Sequence, residues 1–148
     1  MRVGRDVNFM IATKPRNGTN IRWGHINQLC DIVRQISYEI HCYHRNGHLE
    51  KVYENALVNR LKKQEIQVEQ QFPLTVYDED GTELGDYFAD LFVENRLIVE
   101  LKACKTIDDS HVAQLLGYLK SSRVQTGLLI NFGAPKLSVK KYLMSHSS

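Results

Sequence analysis

An α/β fold, with a mixed central β-sheet flanked by helices, is what this sequence predicts, and three observations point to it. Two stretches with helical apolar spacing lie between residues 26 and 64. Three strand-like segments separated by turn residues follow between 68 and 103. A third helical stretch then precedes a short apolar strand at 126–131. The resulting order, α-α-β-β-β-α-β-α, suits a sheet covered by helices.

The first helix begins at Ile26, because Ile26, Leu29, Cys30, Val33, Ile36, Ile40 and Tyr43 fall near one face. Arg45-Asn46-Gly47 should end it, with Asn46 or Gly47 suited to a left-handed stop. A second helix covers 49–64, with Leu49, Val52, Tyr53, Ala56, Leu57 and Leu61 as its apolar stripe. The strand at 68–77 contains Pro73, which cannot donate to a ladder and so belongs at an edge or bulge. Asp78-Glu79-Asp80-Gly81 reads as a hairpin turn. Strands at 86–93 and 97–103 are joined across Glu94-Asn95-Arg96. The third helix, 109–122, packs through Val112, Leu115, Leu116 and Leu119. Residues 126–131 form a short buried strand, and Pro135 is placed to open a last helix through Met144.

A chain of 148 residues that is 43% hydrophobic and 24% charged supports one globular core rather than two. Residues 1–24 lack periodicity and include the turn-prone run 14–20, so they are expected as a flexible or loosely docked extension before a single domain at 25–148. No apolar run approaches the roughly 20 residues of a membrane span. The N-terminal residues show no apolar stretch before a small-residue cleavage site, so no secretory signal is expected, and the three widely spaced cysteines argue against a disulfide framework; a reducing cytoplasm is the expected location. Five basic residues and one acid give residues 1–24 a charge of +4, leaving −2 for the rest of a chain whose total is +2. Such a body does not advertise tight non-specific phosphate binding. Nucleic-acid affinity would have to come from local clusters such as Arg60, Lys62 and Lys63, or Lys136, Lys140 and Lys141.

The chemistry concentrates around 90–102. Side chains alternate along a strand, so Glu100 and Lys102 point the same way. With a three-residue loop at 94–96, Asp90 and Glu100 become opposed cross-strand neighbours on one face, with β-carbons about 4.5–5.5 Å apart. Two carboxylates that close are tolerable in water or around a cation. The apolar neighbours Leu91, Val93, Leu97, Ile98, Val99 and Leu101 argue against simple exposure. Mg²⁺ suits the alternative, since it takes one or two carboxylates and completes its shell with waters and substrate phosphate. An amphipathic hairpin with a solvated Glu–Lys edge is the competing explanation.

Two further groups are weaker. His111, Gln114 and Tyr118 lie along one stripe beside the apolar face of the third helix, where they could rim a cleft or form an ordinary boundary. Glu50 sits in the first turn of the second helix, where the helix dipole alone favours a carboxylate. The cluster His41, Cys42, His44 and His48 has soft ligands, but its spacing matches no standard zinc finger. Cys104 has no base partner in sequence that would make it a nucleophile.

Taken in order, Gly47-x-x-Glu50-x-x-Tyr53, Ala89-Asp90-Leu91, Val99-Glu100-Leu101-Lys102-Ala103, His111-x-x-Gln114-Leu115-Leu116-x-Tyr118 and 128–133 resemble the GxxExxY protein family across about 26–143. That family is similar to the PD-(D/E)xK nuclease superfamily, which implies a restriction-endonuclease-like core. The resemblance implies that Asp90 and Glu100 are metal ligands, with the Leu101 carbonyl joining them, and that Lys102 is the third member of the signature. It implies Glu50 as a helical acid assisting the metal or the water. Gln114 and Tyr118 look like the QxxxY motif of that superfamily's exonuclease-like branch, which helps position DNA or the metal, with His111 beside them. Phe88 departs from the pattern, standing where a basic residue is expected.

The expectation is therefore a Mg²⁺- or Mn²⁺-dependent nuclease acting on nucleic-acid phosphodiesters, DNA first. The ion would polarise the phosphodiester and orient water. Lys102 is expected to act electrostatically rather than as a general base. The rival is an inactive nucleic-acid- or protein-binding module that retains the fold. A homodimer, or an accessory role in which residues 1–24 dock on a protein partner, stays open.

Overall fold

The computed structural model describes residues 2–3, as backbone, and 24–145. Its elements are β1 (Arg2–Val3), α1 (Ile26–His44), α2 (Glu50–Lys63), β2 (Val68–Tyr77), β3 (Glu83–Val93), β4 (Leu97–Lys102), α3 (Asp109–Ser122), β5 (Thr126–Asn131) and β6 (Ser138–Leu143). Apart from Arg2–Val3 and Gly24, the expected extension lies outside the described residues.

The six strands form one mixed sheet in the order β1-β6-β5-β4-β3-β2. Only β4 and β5 run parallel, and α3 makes the crossover that a parallel pair requires. β2 lies at an edge, where Pro73 is tolerated opposite Phe88. α1 and α2 cover one face of the sheet, packing Leu29, Val33, Ile36, Ile40, Tyr53, Leu57 and Leu61 against Leu91, Val99, Leu101 and Ile130. α3 covers the other, with Leu115 and Leu119 against Phe92, Ile98 and Leu129. Leu97, Ile98, Val99 and Leu101 of β4 are wholly buried, each worth roughly 1.5–3 kcal/mol of transfer free energy. That investment makes β4 the rigid floor on which Glu100 and Lys102 stand. Among the described residues no helix is long and apolar enough to cross a membrane.

Local signals account for the helix ends. His25 caps α1 by accepting from the Asn27 N–H, and Gln28 completes a reciprocal capping box. The stop falls one residue before the expected Asn46 or Gly47, at Arg45, whose φ is 61°. α2 starts after Leu49, which lends no side-chain cap. Its buried face is rotated from the expected stripe: Glu54 and Val58 are inside, whereas Leu49 and Val52 are exposed.

One expectation fails. The segment after Pro135 forms β6, not a helix. Val139, Tyr142 and Leu143 have the three- and four-residue spacing of a helix, but β5 is buried along its whole length and would otherwise leave an unpaired edge. β6 covers that edge in antiparallel register, Asn131↔Ser138 through Thr126↔Leu143. Pairing the backbone of a buried strand outweighs local helix propensity.

The reversal between β5 and β6 depends on a close approach. A β-carbon added to Gly133 would overlap the backbone of Ala103 and Cys104, which cannot swing aside like a flexible side chain. Gly133→Ala is expected to cost about 1–3 kcal/mol, read as a lower thermal midpoint in calorimetry. An unchanged midpoint would mean that this crossing is looser than the structure has it.

Candidate metal and phosphate site

The site forms where the sheet splits. β3 pairs with β4 through Val93↔Leu97, Phe92↔Ile98 and Leu91↔Val99, and the ladder then stops. Carried one step further, that register would bring Asp90 opposite Glu100, but the ladder does not extend to them and the direct opposition expected from the loop length is not formed as a pair. The β2–β3 ribbon turns over at this point. Leu91 faces the α1–α2 core, but Ala89, two residues earlier, faces the α3 core. Gln70 likewise reaches α2, whereas Phe72 packs on the α3 side. The residue between them, Gln71, absorbs the change with φ 50°, an unusual value for a side chain larger than glycine.

Departure of β3 leaves the Leu101 N–H without a ladder acceptor from that strand, and the Asp90 carboxylate takes the place. Its Oδ2 accepts from the Leu101 N–H at 2.9 Å, and its Oδ1 accepts from Gln71 Nε2 at 3.3 Å. Glu100 and Lys102 alternate with buried Leu101, so they share the opposite side of β4. Glu100 is the less satisfied acid, because its Oε1 is buried and has no hydrogen-bond partner. Burial pushes its carboxyl up to about 8, against smaller opposing effects from Lys102 and the Asp90 N–H. Burial also raises Asp90 above the usual carboxylate range, with Glu54 adding to the rise and the Leu101 N–H resisting it.

α2 supplies the third wall. Glu50, half-buried in its first turn, is raised by burial and then by Asp90, while Lys102 opposes the rise. Asp90, Glu100, Lys102 and Glu50 therefore share one electrostatic neighbourhood. One helical turn on, Glu54 is 2% exposed. It accepts from Lys51 Nζ at 2.8 Å, Gln70 Nε2 at 2.7 Å and Gln71 Nε2 at 3.2 Å. The Gln71 amide thus ties Glu54 to Asp90. Sequence reasoning missed Glu54, Gln70 and Gln71. The available signals were the four-residue step from Glu50 to Glu54, which puts both on one stripe of α2, and a pair of amides in the middle of a strand.

The α3 residues are not joined to this group. His111 completes a capping box with Asp108, whose N–H donates to His111 Nδ1 at 3.3 Å. Gln114 donates to the Tyr118 hydroxyl at 2.9 Å, and the Tyr118 ring stacks on Tyr87. Among the described residues no hydrogen bond runs from Gln114, Tyr118 or His111 to Asp90, Glu100 or Lys102. Phe88 is 56% exposed, on the rim of β3.

A divalent ion fits these residues in a limited way. Among the described residues no three His, Cys, Asp or Glu side chains come together as a metal-holding group. That covers both the His41–His48 cluster and the carboxylates. Two carboxylates remain, one of them with a buried oxygen lacking any partner, in surroundings where burial already penalises negative charge. This donor set is sparse and all-oxygen. It matches a hard ion that keeps most of its waters, not zinc.

Comparison with known proteins bears on the family and the fold. The model of a family described as the PD-(D/E)XK nuclease superfamily matches residues 27–142. A solved structure titled "Crystal structure of SSO0001" resembles the chain with a TM-score of 0.52 at 16% identity. The similarity covers 66% of this chain and 50% of that one, so it bears on the fold alone. No curated protein matches the sequence.

Proposed function

Because the chain belongs to the PD-(D/E)XK nuclease superfamily, we propose that it hydrolyses nucleic-acid phosphodiester bonds, DNA first, with Mg²⁺ or Mn²⁺ bound between Asp90 and Glu100. One observation carries the reading: a buried carboxylate oxygen without a partner, beside a second carboxylate and a lysine, at the point where two central strands part. Within the superfamily, the motif series from Gly47 to Tyr118 supports placement with the GxxExxY proteins.

Asp90 and Glu100 would hold the ion, with the Leu101 carbonyl as a further oxygen. When bound, the ion supplies Lewis acidity toward the phosphodiester and lowers the pKa of water. The remaining work falls to the chain. Lys102 presents a mobile ammonium to the oxygens on which negative charge grows as water adds and the ester oxygen leaves. Glu50 would assist the ion or take the proton of the attacking water, a task suited to a carboxyl held above its ordinary range by burial. Glu54 and Gln71 act one step back by fixing Asp90. Gln114, Tyr118 and His111 would contact substrate only from the α3 side of the cleft.

The test is cleavage of labelled single- and double-stranded DNA and RNA with Mg²⁺ or Mn²⁺, beside EDTA controls and Asp90→Asn. Cleavage that needs the ion and disappears in Asp90→Asn is the expected result. Divalent-ion stabilisation without cleavage of any form would leave a binding module on a nuclease fold, and equal cleavage by Asp90→Asn would place the activity elsewhere.

A further inference from the structure

We infer that the groove between α1 and the segment leading into β6 binds the phosphates of a single nucleic-acid strand flanking the bond to be cut. This rests on the nuclease reading and adds where the strand lies.

The groove encloses about 780 Å³. Arg34 and Tyr38 of α1, with Arg45 just after it, form one wall, and Pro135, Lys136 and Lys140 form the other. Among the described residues no carboxylate lines it. Arg34 is tied to the Val139 carbonyl at 3.4 Å, and in a chain whose net charge is only +2 the exposed Arg45, Lys136 and Lys140 make a local excess that the total conceals. The basic run near the C-terminus is thereby divided. Lys141 turns inward, 5% exposed, and donates to Asn27 Oδ1 at 2.8 Å, while Lys136 and Lys140 are exposed on the groove. Tyr38 is 56% exposed and offers an aromatic face beside these cations. A positive groove with an exposed ring suits a strand whose bases are unpaired and free to stack. Duplex DNA, with its bases already stacked on one another, has less use for the ring.

Position links the groove to the carboxylates. Arg45 accepts through its carbonyl from the Tyr53 hydroxyl. The Tyr53 ring stacks on Phe132 with centroids 4.7 Å apart, and the Phe132 N–H donates to the Lys102 carbonyl at 2.9 Å. Glu50 lies one turn before Tyr53 on α2. Groove and carboxylates thus flank a single buried aromatic stack, at the end of the sheet where β4 and β5 finish together at Lys102↔Asn131. His41 holds the intervening loop by bonding the Ala134 carbonyl at 2.9 Å.

The experiment is fluorescence anisotropy of a labelled single-stranded oligodeoxynucleotide, and of its duplex, in EDTA with the full-length protein. The double variant Lys136→Glu/Lys140→Glu is expected to bind the single strand at least about tenfold more weakly at moderate salt and to lower the salt slope by about 1.4. Lys136→Gln/Lys140→Gln should fall between it and wild type, which guards against misfolding of the reversed variant. Mn²⁺-induced thermal stabilisation should match wild type in both. Wild-type binding that neither variant weakens would overturn the groove and leave the nuclease reading standing. A loss confined to the duplex would overturn the single-strand assignment. Absence of binding by wild type overturns the groove as well, and the nuclease reading then falls only if cleavage and Mn²⁺ stabilisation are also missing.

Discussion

Lys102→Met is expected to lose about two to three orders of magnitude in turnover, as happens when a transition-state donor is removed, while Mn²⁺ binding is retained or tightened. The two effects separate because Lys102 carries charge of the same sign as the ion. Its ammonium lies within electrostatic reach of Asp90, Glu100 and Glu50, and it favours the ionised form of each. Removing it withdraws a cation that repels the metal, so the carboxylates are no worse as ligands. What would disappear, on the nuclease reading, is the group facing negative charge as the phosphoryl oxygens gather it. Methionine keeps an unbranched side chain of similar length on β4, which limits disturbance to packing. Single-turnover cleavage and Mn²⁺ titration calorimetry, run on one preparation, read the two quantities independently. Weakened Mn²⁺ binding with normal turnover would show that Lys102 organises the site instead of serving the chemistry.

Glu100→Gln is expected to raise the stability of the metal-free protein at pH 8 and to abolish stabilisation by Mn²⁺. Glu100 titrates near 8 when folded because burial opposes its charge, against an ordinary value of 4.5. The folded state therefore keeps a proton that the unfolded chain has lost between those limits. Stability associated with this proton is complete below about pH 4.5 and is lost as pH rises through 8. At one pKa unit per roughly 1.4 kcal/mol, the penalty at alkaline pH is on the order of a few kcal/mol. Glutamine has no charge to bury, so its melting midpoint should exceed that of wild type by several degrees at pH 8 and coincide with it near pH 4. In wild type, Mn²⁺ should recover the lost stability at pH 8. A parallel pH profile for the two proteins would mean that the Glu100 side chain is solvated and the site is open.

The regular elements were legible where local and tertiary preferences agree. β2, α3 and β5 run over the expected residues because Pro73, Asp108 and the apolar run 128–130 act through near neighbours. β6 was not legible, because its apolar spacing satisfies a helix equally well. The deciding influence was the exposed edge of a buried strand folded earlier in the chain. The candidate site divides in the same way. Counting residues across one short loop gives the pairing of Val93, Phe92 and Leu91 with Leu97, Ile98 and Val99, which the structure keeps, but the ladder ends before Asp90 and Glu100. Glu54 and Gln71 could not be found by counting. Their meeting with Asp90 depends on the turnover of the β2–β3 ribbon at a residue with φ 50°, which no alternation pattern encodes.

The proposal stands or falls on whether one hard cation settles between the carboxylates of Asp90 and Glu100. Anomalous diffraction from a manganese-soaked crystal at pH 8 measures this directly. The expected result is a single peak between those two side chains, absent from an Asp90→Asn crystal grown the same way. No peak there, or one only at the His41–His48 cluster, would contradict it.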